Sequence, residues 1–354
     1  MSNRLWWKPI DITMSEDLQQ PEEHTLMEDT NVLHPTVPVS QQLLVLTVLL
    51  LIIFGGGFMP KFIAYLGDEN TNSVTIPLAQ TPQQEAVVEI IEAQEDPFAE
   101  IEILADAAYV WDVLNQKVLY SKSPDEQLPL ASITKLMTAL VAYEIISGEE
   151  NVQISLKAIK QDGESGFSDG EAFTVENLID LTLISSSNDG AFAIAAEAGK
   201  LLDSNNPEGA FVKAMNIRAR ELGLTNTFFR NPTGLDISVS EAGAYGSTRD
   251  VAFLMEYILI NHPVILERTT EAQGVIYNNT GGYHDAENTN PIVSKISGII
   301  GSKTGYTALA GGNLTVAFDA SLNHPVITVV LASTRTERFI DTVTLTAAAR
   351  EALQ

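Results

Sequence analysis

The sequence predicts an α+β fold built on a five-stranded antiparallel sheet with helices on both faces. Two strand-like runs, AYVWDV and KVLY, come early in the region that follows residue 97. Three more, ISGIIGSKTGYT, NLTVAFDA and PVITVVLAS, lie near the C-terminus, and helical patterns fill the interval between the two sets. The two early strands would join the three late ones in one sheet, and the run RFIDTVTLTAAAREAL would close the chain as a helix.

The first predicted helix carries a serine followed three residues later by a lysine. In the run PLASITKLMTALVAYEII, apolar residues recur at helical spacing over residues 136–141, and no glycine or proline interrupts before Gly148. Residues three apart share a helix face, so Lys135 can reach Ser132. A serine hydroxyl needs a base, and a lysine acts as one when burial and neighbouring cations lower its pKa. The alternative is a helix N-cap serine beside a lysine that reaches solvent.

A second polar motif, Ser186-Ser187-Asn188, separates the helical runs VENLIDLTLIS and DGAFAIAAEAG. This placement predicts a tight turn between two core helices, with its side chains pointing inward. A simple helix cap is the alternative for this turn. The similar triplet at residues 204–206 lies in the polar stretch LLDSNNPEG and is typical of a surface loop.

A third motif, Lys303-Thr304-Gly305, ends the first of the late strand-like runs. Lys303 and Thr304 would lie at the edge of the antiparallel sheet. Glycine inside a strand often marks a place where another backbone approaches closely, and Gly305 would leave that room for a substrate. Taken alone, the tripeptide is an ordinary strand terminus.

The three motifs occur in the order found in penicillin-binding proteins and class A β-lactamases, S-x-x-K, S-x-N and K-T-G. The chain resembles the low-molecular-mass penicillin-binding proteins of the D-alanyl-D-alanine carboxypeptidase type, serine peptidase family S11. The blocks FFRNPTGLD, YGSTRDVAFL and SKTGYTALAGGNL are also similar to that family's, in its order. The resemblance covers residues from 107 to the C-terminus and implies the β-lactamase/DD-peptidase-like form of the α+β fold.

The resemblance implies a catalytic role for five side chains. Ser132 would be the acylated nucleophile and Lys135 its base. Ser186 would relay a proton to the departing D-alanine amine, Lys303 would supply positive charge, and Asn188 would hold the amide of the donor peptide.

The resemblance also implies a set of substrate-binding residues: Thr304, Gly305, Tyr306, Thr307 and Arg249. Thr304, Thr307 and Arg249 would meet the terminal carboxylate. The backbone N–H groups of Ser132 and Tyr306 would form the oxyanion hole. An ion pair of Arg249 with Asp250 or Glu256 is the alternative for that arginine.

The expected activity is removal of the terminal D-alanine from peptidoglycan stem peptides, with β-lactam antibiotics as covalent inhibitors. A β-lactamase role is disfavoured because no E-x-x-L-N segment lies between Asn188 and Lys303. Ser187 stands where the carboxypeptidases more often have glycine. A membrane-tethered penicillin sensor or wall-binding module without turnover, and a DD-endopeptidase of the same fold, remain as alternatives.

Other chemistries have little support. Residues 166–170 match the G-x-S-x-G elbow of α/β-hydrolases, with His324 as a candidate base, but the flanking sequence is typical of a surface loop. The absence of cysteine excludes thiol catalysis and zinc–cysteine sites. The five histidines form no H-x-x-x-H pair, so we expect no metal site and no cofactor, and each histidine is expected in a loop or on the surface. A net charge of -26 without a basic cluster argues against a nucleic-acid partner.

The N-terminal third predicts the location of the protein. Residues 1–40 form an acidic tail, which we expect in the cytoplasm, and residues 41–66 form an apolar run expected to be an uncleaved transmembrane signal anchor. Residues 67–97 are acidic and proline-containing, as is typical of a flexible linker. Residues 98–354 would be the catalytic domain, held outside the cell membrane by a single-pass anchor.

Overall fold

The computed structural model describes residues 96–163 and 165–354. The predicted cytoplasmic tail, the transmembrane anchor and all but the last two residues of the predicted linker lie outside the described residues. Among the helices of the described part, none has both the length and the apolar composition needed to cross a membrane.

The described chain alternates short strands and helices before it ends in three long strands and a helix. The strands are β1 (Ala107–Asp112), β2 (Lys117–Lys122), β3 (Leu128–Pro129), β4 (Asn151–Gln153), β5 (Ala172–Thr174), β6 (Phe228–Phe229), β7 (Ala244–Gly246), β8 (Gln273–Tyr277), β9 (Tyr283–Glu287), β10 (Ile299–Thr307), β11 (Gly311–Asp319) and β12 (Pro325–Ser333). The α-helices are α1 (Thr134–Ile145), α2 (Leu156–Ile159), α3 (Val175–Ile184), α4 (Asn188–Lys200), α5 (Pro207–Glu221), α6 (Thr248–Asn261), α7 (Val264–Glu267) and α8 (Glu337–Ala352). Short 3-10 turns occur at Ala131–Ile133, Arg268–Thr270 and Val293–Lys295.

The central sheet has five antiparallel strands in the order β10-β11-β12-β1-β2. The early strand β1 pairs with the last strand β12, with Val110 opposite Thr328. The predicted five-stranded α+β sheet is therefore confirmed, and its third-motif strand β10 lies at the edge, as the sequence predicts. Both ends of the described chain are needed to complete this sheet.

Two hydrophobic cores lie on opposite faces of the sheet because successive strand residues point to opposite sides. On one face, Ala108 and Val110 of β1 join a core with Leu345 of α8. On the other face, Tyr109 and Trp111 join the larger core that includes α1, α3, α4 and α6. The motif-bearing elements belong to this second, helix-rich side.

The three smaller sheets are β3-β7-β6, β4-β5 and β8-β9. Strand β3 matters most for the site because it leads directly into the 3-10 turn that holds the first motif. The sequence prediction needs one adjustment here, since Ser132 lies in that turn and α1 begins only at Thr134. The preceding residue, Ala131, has a left-handed φ of 47°, which interrupts regular helix geometry.

Of the three histidines in the described residues, one does not follow the prediction, while His24 and His34 lie outside the described residues. His284 lies in strand β9, where it is half-buried and hydrogen-bonds Glu171 at 2.7 Å. His262 and His324 do follow the prediction and lie in connecting segments.

Candidate active site

The 3-10 turn that carries Ser132 is fixed between the sheet and a loop. From β11, the buried Asn313 donates from Nδ2 to the carbonyl oxygens of Pro129 and Leu130, at 2.9 and 3.1 Å. Gly234 packs against the carbonyl of Ala131 so closely that a Cβ would collide with it. Ala131, directly before Ser132, has a strained left-handed conformation that this surrounding structure maintains.

Lys135 is completely buried beneath Ser132. Its Nζ lies 2.8 Å from Ser132 Oγ, 2.7 Å from Asn188 Oδ1 and 2.8 Å from the carbonyl oxygen of Thr233. Burial lowers the pKa of Lys135 well below its usual value, and the nearby charge of Lys303 adds to the effect. Burial thus favours the neutral amine form of this side chain.

The contacts of Lys135 also set the direction of its lone pair. A neutral amine has two N–H bonds and one lone pair. The carbonyl oxygen of Thr233 and the Oδ1 of Asn188 can only accept hydrogen bonds, so they take the two N–H groups. The lone pair is then directed at Ser132 Oγ, which is the geometry that a general base requires.

The second motif forms the turn between α3 and α4. Ser187 is the N-cap of α4, and its Oγ accepts the N–H of Gly190 at 2.9 Å. Ser186 precedes it with a left-handed φ of 62°, a second strained residue at the site. This conformation accompanies a 2.8 Å contact between Ser186 Oγ and the Nζ of Lys303.

The third motif lies on the edge strand β10. Lys303 is completely buried, and burial lowers its pKa to about 7, with the charge of Arg338 contributing. The hydroxyl of Thr304 lies 2.6 Å from that of Thr289, and the hydroxyl of Thr307 donates to Asp236 at 2.9 Å.

Gly305 allows strand β10 to lie close to Ser132. A Cβ at this position would lie 2.8 Å from the carbonyl oxygen of Leu130 and 3.2 Å from the amide nitrogen of Ser132. The next residue, Tyr306, is half-exposed, and the guanidinium of Arg335 lies 5.1 Å from its ring centre.

Arg249 does not join this cluster. Its guanidinium pairs with Asp125 at 3.0 Å and lies 5.9 Å from the ring centre of Tyr109 in β1. Strands β11 and β12 separate β1 from β10 in the sheet. The ion-pair alternative therefore describes this arginine better than carboxylate binding, although its partner is Asp125 and not Asp250 or Glu256.

The structure adds three residues that the motif analysis missed. Thr233 contacts Lys135 and Asn313 holds the turn that carries Ser132. Both belong to the blocks NPTGLD and AGGNL, which the sequence analysis noted without assigning roles. Arg338 of α8 is 7% exposed and donates to the carbonyl oxygen of Gly305 at 2.5 Å. No local pattern marks Arg338, because only the packing of α8 brings it to β10.

The alternative nucleophile and a metal centre have no matching geometry in the described residues. Ser168 is exposed, and the segment 166–170 leads into strand β5 and not into a helix. His324 instead contacts Asp112 at 2.9 Å. Within residues 96–163 and 165–354, His, Asp and Glu side chains form no group of three that could hold a metal ion.

The site places Ser132 beside the buried Lys135, and a second buried lysine, Lys303, lies on the edge strand β10. This is the arrangement of a serine–lysine acyl-transfer site on an α+β fold. Residues 91–335 match the model of the peptidase S11 family, D-alanyl-D-alanine carboxypeptidase, and the chain belongs to this family.

Similarity to individual proteins agrees with the family. The chain is 36% identical over 228 residues to D-alanyl-D-alanine carboxypeptidase DacF of Bacillus subtilis, covering 63% of this chain and 56% of that one. It is 34% identical over 219 residues to a D-alanyl-D-alanine endopeptidase of Pseudomonas aeruginosa, covering 59% and 66%. The chain thus spans between about half and two thirds of the length of these two relatives.

Among solved structures, the fold is similar to that of penicillin-binding protein D2 from Listeria monocytogenes in its ampicillin-bound form. The TM-score is 0.58 at 30% sequence identity, and the match covers 70% of this chain and 98% of the other.

Proposed function

We propose that this protein is a serine-type D-Ala-D-Ala carboxypeptidase that trims peptidoglycan stem peptides through an acyl-enzyme on Ser132. The observation that carries the proposal is the environment of Lys135. Lys135 is completely buried, and Asn188 Oδ1 and the Thr233 carbonyl oxygen accept hydrogen bonds from its Nζ. The lone pair of Nζ therefore faces the Ser132 hydroxyl. Family membership and the names of the relatives support the substrate class.

In the acylation step, Lys135 Nζ takes the hydroxyl proton as Ser132 Oγ attacks the carbonyl carbon of the penultimate D-alanine. The negative charge that develops on the carbonyl oxygen is held by the backbone N–H groups of Ser132 and Tyr306. Gly305 supports this assignment, because it allows β10 to lie close to the Ser132 amide.

Collapse of the tetrahedral intermediate breaks the C–N bond and releases D-alanine. The leaving amine needs a proton, and Ser186 Oγ delivers it while Lys303 Nζ stabilises the hydroxyl oxygen from 2.8 Å. Lys135 passes the proton it took from Ser132 to Ser186, which restores the Ser186 hydroxyl and the neutral amine. Water then attacks the ester carbonyl while Lys135 takes one of its protons. The ester C–O bond breaks, Lys135 gives that proton to Ser132 Oγ, and the shortened peptide leaves as a carboxylic acid. Asn188 holds the donor amide through these steps.

The terminal carboxylate of the substrate binds at Thr304 and Thr307. Arg338 takes the place that the sequence analysis considered for Arg249. Its Nε has no hydrogen-bond partner within the described part of the chain, and its guanidinium already lies against Gly305 of β10. Lys303, next to Thr304 on the same strand, adds positive charge.

Penicillins inhibit the enzyme by the same attack. When Ser132 opens a β-lactam ring, the nitrogen stays attached to the acyl group and cannot diffuse away as D-alanine does. The acyl-enzyme then persists. The ampicillin-bound Listeria relative supports this part of the proposal.

Labelling of the full chain with a fluorescent penicillin tests the proposal together with D-alanine release from a pentapeptide. We expect stable labelling and turnover in the wild type and in Ser168→Ala, whose exposed serine lies outside the site. Ser132→Ala is expected to lose both. Labelling that survives in Ser132→Ala would overturn the nucleophile, and labelling without D-alanine release would favour a penicillin sensor.

Endopeptidase action is the second candidate because the Pseudomonas aeruginosa relative carries that name. Both activities use one acyl-enzyme and differ in the amine that leaves. Cross-linked stem-peptide dimers separate them, since a carboxypeptidase releases free D-alanine and an endopeptidase releases two stem peptides.

The proposed location is the outer face of the cell membrane, with residues 41–66 as the anchor. The support is the apolar run LLVLTVLLLIIFGGGFM and the need for the active site to face the cell wall. Fractionation of the cells, followed by protease treatment of intact spheroplasts, tests both the anchoring and the orientation.

A further inference from the structure

The segment that joins α2 to β5 lies against the second motif. This loop segment comprises residues 161–171, of which Glu164 lies outside the described residues. Two hydrogen bonds join the described residues of this segment to the motif. The carbonyl oxygen of Asp162 accepts a hydrogen bond from Asn188 Nδ2 at 2.5 Å, and the Ser165 hydroxyl lies 2.7 Å from the Ser187 hydroxyl.

Ser187 is the position where this chain departs from the glycine more common in the carboxypeptidases it resembles. The side chain is 4% exposed, and its Oγ accepts the N–H of Gly190 in addition to its contact with Ser165. A glycine at this position would make neither contact. The departure therefore creates a link between the motif and the loop segment.

The other end of the loop segment is held by the β8–β9 hairpin. Glu171 Oε1 contacts His284 Nε2 at 2.7 Å and accepts from Asn278 Nδ2 at 2.5 Å. Burial raises the pKa of Glu171, but hydrogen bonds from Ser168, Asn278 and His284 outweigh it and hold the pKa below the usual value. Glu171 is thus a charged acceptor at neutral pH, and the segment is fastened at both ends.

The contact with Asp162 decides which way the Asn188 amide faces. Because Nδ2 donates to the Asp162 carbonyl, the opposite atom, Oδ1, is the one that meets Lys135 Nζ at 2.7 Å. A reversed amide would offer an N–H to Lys135. The lone pair of Lys135 would then turn toward Asn188 and away from Ser132.

We propose that Ser165 and Ser187 are positioning residues for the base. Their hydroxyl pair holds the loop segment in place, so that Asp162 and Asn188 keep the lone pair of Lys135 directed at Ser132. This role rests on the proposed function, since it assumes that Lys135 activates Ser132. It explains why a serine at the middle of the motif is compatible with activity.

The test measures the acylation rate of the full chain by a fluorescent penicillin as a function of pH. The variants are Ser165→Ala, Ser187→Gly and Ser165→Thr, which keeps the hydroxyl. Ser168→Ala is the matched control, because its exposed side chain lies in the same loop segment and outside the site. Thermal unfolding of each variant is recorded alongside.

We expect Ser165→Ala and Ser187→Gly to acylate about five- to tenfold more slowly on the pH plateau, as loss of one hydrogen bond predicts. The fall in acylation rate at low pH should also begin at a lower pH. Oδ1 of Asn188 stabilises the charged form of Lys135, so loss of this contact lowers the pKa of Lys135 further. Ser165→Thr and Ser168→Ala should stay within about twofold of the wild type.

An unchanged plateau and acidic limb in Ser165→Ala would overturn the proposal. The proposal would also be overturned if Ser165→Thr acylated as slowly as Ser165→Ala and neither pH profile shifted. That pattern would indicate that the packing of Ser165, and not its hydroxyl, affects the rate. Failure of the proposed function has a different signature, because penicillin would then label Ser132→Ala as well as the wild type, or would label neither.

Discussion

Lys135 and Lys303 are completely buried, and neither contacts a carboxylate within the described part of the chain. Burying a cation without a partner of opposite charge is unfavourable. The pKa values of both lysines are lowered because burial destabilises their charged form. The same burial favours the neutral amine that the proposed role of Lys135 as a base requires. Activity and stability are therefore opposed at these two residues.

The shift at Lys303 has a predictable effect on stability. Its pKa falls from an ordinary 10.5 to about 7 on folding. Between these values the folded chain binds fewer protons than the unfolded chain, so this group makes the free energy of unfolding rise as the pH increases from about 7 to about 10.

Lys303→Met should therefore stabilise the fold while it weakens turnover. Removal of the buried charge is expected to raise the unfolding temperature by roughly 3–6 °C near neutral pH. The gain should shrink as the pH rises toward and past the ordinary lysine pKa of 10.5, above which the wild-type lysine is neutral in both states. Calorimetry across this pH range measures the effect, with the exposed Lys295→Met as the control. A gain that does not depend on pH would contradict the assigned pKa.

At the scale of elements, the site depends on the distance between strand β10 and the 3-10 turn at Ala131–Ile133. Gly305 sets this distance, because any side chain there would push against Leu130 and Ser132. Asn313 of β11 also holds this turn, because its Nδ2 donates hydrogen bonds to the carbonyl oxygens of Pro129 and Leu130 directly before the turn. Ser132 is thus positioned by two strands of the sheet and not by the 3-10 turn alone.

Gly305→Ala should displace the turn and impair acylation. We expect about a hundredfold slower labelling by fluorescent penicillin, since small displacements of reacting groups are costly. Overpacking should also reduce stability by about 1–3 kcal/mol. Gly148→Ala is the matched control, because a Cβ there would meet its nearest atoms at 3.7 Å. Labelling of Gly305→Ala within about threefold of the wild type would contradict this role.

At the scale of the whole molecule, the sheet is completed only when the first and last described segments meet. Strand β1 lies between β12 and β2. Asp341 of α8 reinforces this closure, since its buried carboxylate accepts the N–H groups of Leu104 and Ala105 at 3.0 Å and the Ser333 hydroxyl at 2.7 Å. Such long-range pairing favours slow folding.

Asp341→Ala should loosen this closure. The loss of three hydrogen bonds to one buried carboxylate is expected to lower the free energy of unfolding by about 2–4 kcal/mol. Urea titration followed by tryptophan fluorescence measures the change, and Glu351→Ala at an exposed position of the same helix is the control. Equal midpoints for the two variants would show that Asp341 does not hold the ends together.

The sequence by itself determined the five strands of the central sheet, the helices that flank the first two motifs, the closing helix, the three motifs and the edge position of the third, whereas the seven short strands β3 to β9 were not predicted. These are local properties: hydrophobic periodicity, glycine placement and the three-residue spacing of Ser132 and Lys135 can be recognised without knowing the fold.

Only the tertiary structure decided which groups surround those motifs. Arg249 and Arg338 both lie near the start of a helix. The hydrophobic periodicity of a helix does not identify the strand against which that helix packs. Packing places Arg249 over Tyr109 in β1 and Arg338 against Gly305 in β10. It also decides the partners of Lys135, because Thr233 is 98 residues away along the chain. Contacts of that separation follow from the arrangement of elements, which local sequence signals do not encode.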